Sequence, residues 1–168
     1  MLLTAAWIDT PLGSMVALST KKSLCFLGFA EILNFEQEKT RLEDTLRYPL
    51  VSGDSAPIRS IMCELDGYFK GKLQKFQTPC SFEFGTPFQK NVWNELAKIP
   101  YGKTRSYAEI AIAIGKPTAY RAAAQANGAN PLIIIVPCHR VINSDGKLGG
   151  YGAGLNRKQW LLDLERNR

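Results

Sequence analysis

The residues best suited to chemistry stand together in Leu132-Ile133-Ile134-Ile135-Val136-Pro137-Cys138-His139-Arg140, where a cysteine is followed by the only histidine of the chain. A thiol is a strong nucleophile only as thiolate, and a nearby imidazole is the commonest group to take its proton and lower a pKa that is ordinarily about 8.5. The pair fits covalent transfer to sulfur. It also fits a plainer reading, with Cys138 a small core hydrophobe and His139 satisfying a backbone carbonyl. The five apolar residues before Pro137, four of them β-branched, predict a strand covered on both faces that ends at the proline.

The elements that must hold this segment are legible from their ends. Thr86-Pro87-Phe88-Gln89 combines a Thr cap, a proline at the first helical position and a Gln three residues after the cap, with Phe88, Val92, Trp93 and Leu96 as the buried stripe. Ser106-Tyr107-Ala108-Glu109 is a second capping box, continued by Ile110, Ala111 and Ile114 and ended by Gly115. A third helix is expected from near Pro117 to near Gly128. The two short helices joined at Gly115-Lys116-Pro117 make a helix-turn-helix, whose second helix ordinarily contacts DNA. That second helix, Ala119-Tyr120-Arg121-Ala122-Ala123-Ala124-Gln125-Ala126-Asn127, has almost no side chains able to read the major groove. Its alanines suit either tight packing inside the domain or close approach to a minor groove with Arg121 entering the base stack.

Upstream, Leu3 to Ile8, Met15 to Leu18 and Leu24 to Phe29 alternate with turn signals and predict a β-meander. Ile58, Ile61, Met62, Leu65, Tyr68 and Phe69 predict an amphipathic helix with Pro57 near its start. Gly71 to Phe84 reads as a linker with a last short strand. The fold class expected is a small antiparallel sheet with a helix in residues 1–85, followed by a mostly α domain containing the helix-turn-helix in residues 86–168.

A chain of 168 residues with 45% hydrophobic content can bury a proper core. No segment approaches the roughly 20 apolar residues of a membrane span, and the N-terminus lacks a basic signal-like region, so a cytoplasmic protein, or a nuclear one in a eukaryote, is expected. Cys25, Cys63, Cys80 and Cys138 are widely spaced, without a C-x-x-C pair, which argues against disulfides and against zinc; no metal or other cofactor is expected. Charge is uneven. Residues 86–168 hold 12 Lys and Arg against 5 Asp and Glu, whereas residues 1–85 hold 9 against 10. A basic half suggests a polyanionic partner such as nucleic acid, although many basic surfaces are only solvated lysines. Five glycines in Gly146 to Gly154 lack the spacing of a phosphate loop and read as a loop that encloses a substrate.

Gly85-Thr86-Pro87-Phe88-Gln89, Val92-Trp93, Ile99-Pro100-Tyr101-Gly102, Ser106-Tyr107, Arg121-Ala122, Asn130-Pro131, Pro137-Cys138-His139-Arg140-Val141-Ile142 and Gly149-Gly150-Tyr151 together resemble the O6-alkylguanine-DNA alkyltransferases over about the last half of the chain. The resemblance implies irreversible transfer of an alkyl group from O6-alkylguanine in double-stranded DNA to the protein's own cysteine, one lesion per molecule, by a monomer. It implies Cys138 as acceptor, His139 as general base through a water molecule, Glu165 as the carboxylate that orients His139, Asn130 as a brace for the active-site loop, and Tyr107 as donor to guanine N3. Tyr120, Arg121, Ala122 and Ala123 fall on the DNA-binding helix, and Val141, Tyr151 and Gly152 in the guanine pocket. Gly152 stands where some members carry serine, so a contact to O6 there must come from its backbone N–H. If coupling to His139 and Glu165 lowers the Cys138 pKa by about three units, thiolate is present near neutral pH. O4-alkylthymine is a further possible substrate. The alternatives are a binding-only lesion sensor, which would lack the acceptor cysteine; a helix-turn-helix transcription factor, which would need base-reading side chains; and a cysteine hydrolase, which would turn over.

Overall fold

The computed structural model describes residues 1–31 and 34–167. The chain divides into two compact units, Met1–Phe84 and Gly85–Arg168.

In the first unit β1 (Leu3–Thr10), β2 (Gly13–Ser19) and β3 (Leu24–Phe29) form the expected meander. Two elements were not foreseen, α1 (Phe35–Leu46) and β4 (Leu50–Ser52); after them comes α2 (Ala56–Phe69). The sheet runs β3-β2-β1-β4, and β4 pairs parallel to β1, so the sheet is mixed rather than wholly antiparallel. The intervening helix makes this possible, because a parallel neighbour needs a crossover and not a tight turn. Five consecutive residues of β2, Met15 to Ser19, are buried, which requires cover on both faces. Leu42 of α1 joins Leu3, Ala5, Val16, Leu18 and Cys25 in one cluster, and α2 packs on β1 and β2. The last strand expected before Phe84 is reduced to one bridge, Leu24 with Cys80.

The second unit is mostly helical: α3 (Pro87–Leu96), β5 (Arg105–Ser106), α4 (Tyr107–Ala113), α5 (Tyr120–Gly128), a 3-10 turn at Cys138–Arg140, β6 (Val141–Ile142) and α6 (Leu155–Arg166). Both capping boxes form, Thr86 with Gln89 and Ser106 with Glu109. The helix-turn-helix is α4 and α5. The second helix starts at Tyr120, three residues after Pro117, without a side-chain cap. Trp93 Nε1 donates to the Ala126 carbonyl at 2.7 Å and ties α3 to α5. No helix among the described residues is long and apolar enough to cross a membrane.

Leu132–Val136 is not a strand. It is a tight buried turn in which Val136 N donates to the Leu132 carbonyl at 2.9 Å and Ile134 takes a φ of 75°. Positive φ is strained for a β-branched residue, at a cost of roughly 1–3 kcal/mol, and persists only where the surroundings impose it. Asn130 imposes it: its Oδ1 accepts from Leu132 N at 3.0 Å while its Nδ2 donates to the Val136 carbonyl at 2.8 Å. Leu132, Ile134 and Val136 of the run are buried, while Ile133 and Ile135 are partly exposed.

Candidate active site

Cys138 leaves this turn through Pro137, whose φ of −82° and ψ of 65° make an inverse γ-turn closed by Cys138 N to the Val136 carbonyl at 2.8 Å. The thiol is buried, 3% exposed, and the next residue, His139, is wholly buried. Asn130 holds both ends of the Leu132–Val136 turn that precedes them.

Glu165 is a buried carboxylate rather than a solvated helix-end acid. Its Oε1 accepts from His139 Nε2 at 2.7 Å and from Arg140 Nη2 at 2.9 Å; its Oε2 accepts from Arg140 Nε at 2.8 Å and from Gly102 N at 3.2 Å. Burial alone would raise this carboxyl, but the hydrogen bonds from His139 and Arg140 hold it far below the ordinary glutamate range. An ionised carboxylate only accepts, so Nε2 carries the imidazole hydrogen and Nδ1 is left with its lone pair. Nδ1 is buried and has no partner among the described residues. Burial holds the ring below its usual pKa in spite of Glu165. His139 is thus a neutral imidazole with an oriented, unused base position.

Burial pushes the Cys138 pKa up, while Asn130, the Lys158 ammonium and the Tyr151 hydroxyl favour the thiolate without overcoming burial. A neutral imidazole supplies no charge to hold a thiolate. The geometry suits a thiol that loses its proton during reaction, not a stored thiolate.

Lys158 and Arg140 carried no assigned role in the sequence reading. Lys158 is wholly buried, and its Nζ donates to the carbonyls of Val141 and Leu148 at 2.6 Å each and of Gly150 at 3.1 Å. It joins β6 to the glycine-rich loop. Burial lowers its pKa to about 8. Lys158, Leu161, Leu162 and Glu165 are spaced i, i+3, i+4, i+7 and are all buried, so one helix face carries two apolar and two charged side chains inward. That spacing was the available signal. Arg140 additionally donates to the Ile99 carbonyl at 2.6 Å.

A cavity of about 390 Å³ is lined by Tyr107, Tyr120, Arg121, Ala124, Asn127, Gly128, Asn143, Gly150, Tyr151 and Gly152. Five of the residues assigned from the resemblance therefore share one pocket: Tyr107, Tyr120, Arg121, Tyr151 and Gly152. The Tyr107 hydroxyl donates to the Gly150 carbonyl at 3.3 Å, and burial followed by Cys138 raises its pKa, so it stays a donor. Gly149, at φ 68°, brings the loop so close that a Cβ would stand 3.0 Å from Tyr107 Cε2 and Asn143 Oδ1. A side chain there would be strained by the positive φ and would press on both neighbours. Arg121 is exposed and its guanidinium lies 5.6 Å from the Tyr120 ring centre. One assignment needs correction. Ala123 is wholly buried and faces the packing side of α5 with Ala126, so it offers no surface to DNA; Ala122, Gln125 and Gly128 are exposed. Val141 is wholly buried in β6, and its carbonyl accepts from Lys158 Nζ.

Residues 87–167 match the family described as 6-O-methylguanine DNA methyltransferase, DNA binding domain. A methylated-DNA–protein-cysteine methyltransferase of Methanosarcina barkeri is 45% identical over 95% of this chain and 95% of its own length. One from Mycobacterium bovis is 43% identical over 96% of this chain and 91% of its own. The crystal structure of Mycobacterium tuberculosis O6-methylguanine methyltransferase superposes with a TM-score of 0.83 at 40% identity, covering 99% of this chain and 94% of that one. The same organism's protein in complex with DNA gives 0.81, also at 40% identity, with the same coverage. With the thiol, the His139–Glu165 pair and the helix-turn-helix contained in a fold shared along nearly the whole chain, the protein belongs to the methylated-DNA–protein-cysteine methyltransferase family.

Proposed function

We propose that this protein repairs O6-alkylguanine in double-stranded DNA by moving the alkyl group to Cys138 Sγ, once per molecule, acting as a monomer in the cytoplasm or, in a eukaryote, the nucleus. Both DNA binding and transfer are assigned to residues 86–168. The observation that carries the reading is the oriented, unpartnered Nδ1 of His139, the residue next in the chain to a buried thiol.

In the step, a new S–C bond forms as the alkyl carbon leaves O6, and the bonding pair passes to the purine. The thiol proton passes through water to His139 Nδ1 and is available to the released guanine, while Glu165 stabilises the imidazolium between. The Tyr107 hydroxyl donates a hydrogen bond to N3 as negative charge grows on the leaving base. Gly152 N–H serves O6, and Tyr151 walls the pocket. A base within a duplex cannot reach a buried thiol, so the nucleotide must be flipped, at a cost of a few kcal/mol. Arg121, exposed and lining the cavity, suits the vacated space. The small outer side chains Ala122 and Gln125 suit shallow groove contact, and the 12 basic residues of this half supply sequence-independent phosphate binding. O4-alkylthymine is a candidate second substrate.

Intact mass after incubation with an O6-methylguanine oligonucleotide tests the reading. One methylene-sized gain per protein, located on the Cys138 peptide, is the expected outcome; release of product over many turnovers would instead indicate a hydrolase.

Arg121→Ala is expected to slow repair of a paired lesion by tenfold or more while changing reaction with free O6-methylguanine less than about twofold, because one cation among 12 contributes little to general DNA affinity. Single-turnover rates on the two substrates measure this. Equal losses on both would exclude a role in holding the flipped state.

A further inference from the structure

Lys158, on the inner side of α6, is a wholly buried amine whose hydrogen-bond partners among the described residues are backbone carbonyls and no carboxylate. One carbonyl belongs to Val141 of β6, at 2.6 Å; the others belong to Leu148, at 2.6 Å, and Gly150, at 3.1 Å, in the glycine-rich loop. A buried charge is costly unless its hydrogen bonds are made, and here three ammonium hydrogens meet three acceptors. The match in number makes the arrangement depend on charge. A neutral amine has two hydrogens and a lone pair, so on deprotonation one carbonyl loses its donor.

The loop has need of such a tie. Among the described residues no helix or strand lies between β6 and α6, yet Gly150, Tyr151 and Gly152 of this segment line the cavity. The Tyr107 hydroxyl also reaches the Gly150 carbonyl, at the longer distance of 3.3 Å. In the reading above that hydroxyl turns to the leaving base, and Lys158 is the tie that stays.

We infer that Lys158 is a positioning residue for the transfer: its ammonium clamps the glycine-rich loop to β6, so that the cavity wall is held in place while the amine keeps its third hydrogen. The reaction then has an alkaline limit set by the loop and not by the thiol. The titratable groups that face Lys158 are Cys138 and His139 of the 3-10 turn, Tyr107 of α4, with its ring centre 5.8 Å away, and Tyr151 of the loop, at 6.0 Å. On α6 itself, Glu165 is taken up by His139 and Arg140. His139 is held below its ordinary value and both tyrosines above theirs. Cys138 is pushed up, and its ionisation favours transfer as pH rises. Lys158, brought down to about 8 by burial, is the group whose titration acts in the opposite sense. That titration does not unfold the protein: for a lysine held below its ordinary value, the cost of burying the charge is relieved as pH rises from about 8 to about 10.4.

The inference rests on the alkyl-transfer reading, and the two fail in different ways. Single-turnover transfer from the free base O6-methylguanine, which removes phosphate contacts from the comparison, is measured from about pH 6.5 to about 9.5 in the wild type and in Lys158→Met, whose side chain fills similar space without a donor. The wild-type rate is expected to fall by about fivefold or more above about pH 8, the range for one buried hydrogen bond to a charged group. Lys158→Met is expected to be slower by about tenfold near neutrality, mainly through a higher half-saturating concentration of base, and to show no falling limb. A wild-type rate that is flat or rises across the range overturns the inference, as does a falling limb that persists in Lys158→Met. A fall that coincides with unfolding, followed by circular dichroism, overturns it too. Should Lys158→Met fail to fold, Lys158→Gln is judged by the same limb, and if neither folds the wild-type profile decides. No methyl transfer at any pH overturns the functional reading and the inference with it.

Discussion

Cys138→Ser is expected to abolish methyl transfer, with no protein-bound methyl detectable after an incubation that fully converts the wild type, while affinity for an O6-methylguanine duplex stays within about threefold. An alcohol at this position has neither the acidity nor the polarisability of a thiol, and the step requires both a proton acceptor and a soft nucleophile. The fold should tolerate the change. The loop is held by Asn130 and by the Pro137 turn, neither of which uses Sγ as its main partner. None of the other thiols is placed to substitute. Cys25 is wholly buried, donates to the Leu18 carbonyl at 3.3 Å and is pushed up to about 12 by burial. Cys63 and Cys80 are exposed on the first unit, and no buried imidazole is available there because the single histidine is His139. Gel retention with a methylated duplex and mass spectrometry of tryptic peptides give the two readouts. A methylated Cys25, Cys63 or Cys80 peptide in the variant would show that the assignment of the acceptor is wrong.

What could be read from the chain was what is local. Thr86 with Gln89 and Ser106 with Glu109 specify helix starts within four residues, and both caps form as written. The run Leu132–Val136 failed for the opposite reason. Five apolar residues describe a buried segment but not its conformation, and the turn is imposed by an asparagine that reaches both ends of it. The α1 helix was missed because its sequence is mostly polar, with Leu42 as its main core contribution and the buried Glu38 engaged by Arg41 at 2.6 Å.

The site followed the same division. Cys138 and His139 are neighbours in sequence and were evident from their types. Glu165 is 26 residues further on, and by its place near the chain end it reads as solvated; only the resemblance singled it out. Lys158 carries no motif. Its role depends on what the fold puts opposite it, three carbonyls. A Cys–His pair in a sequence suggests a thiolate–imidazolium couple, but burial of both groups penalises both charges, and the ionised Glu165 is already satisfied by four hydrogen bonds.

Those four bonds make Glu165→Gln the most damaging isosteric change available. It leaves the Arg140 guanidinium, 6% exposed, without its carboxylate, and removal of one partner from a buried pair costs about 3–5 kcal/mol. For a chain of this size, with roughly 2–4 °C lost per kcal/mol, Tm should fall by about 6–20 °C. The chemical step should suffer as well. A glutamine amide can donate to Nε2, which moves the imidazole hydrogen to Nδ1 and removes the lone pair from the side that must take the proton; loss of a general base costs on the order of 10²–10⁴ in rate. The pH dependence gives an independent check of sign. Glu165 is held far below its ordinary value in the folded protein, so its contribution is fully present above about pH 4.3 and is lost as pH falls from there toward the depressed value. His139, also held below its ordinary value, adds a loss that begins as pH falls through about 6.5, where the unfolded chain takes up a proton that the folded one refuses. Because His139 is present in both proteins, the difference between them reports on Glu165, and chemical denaturation from pH 3 to 8 should show the wild-type advantage over Glu165→Gln narrowing as pH falls below about 4.3. Parallel stability curves across that range would mean that the carboxylate is not charged in the folded protein, and with that the oriented base at His139 Nδ1 would lose its support.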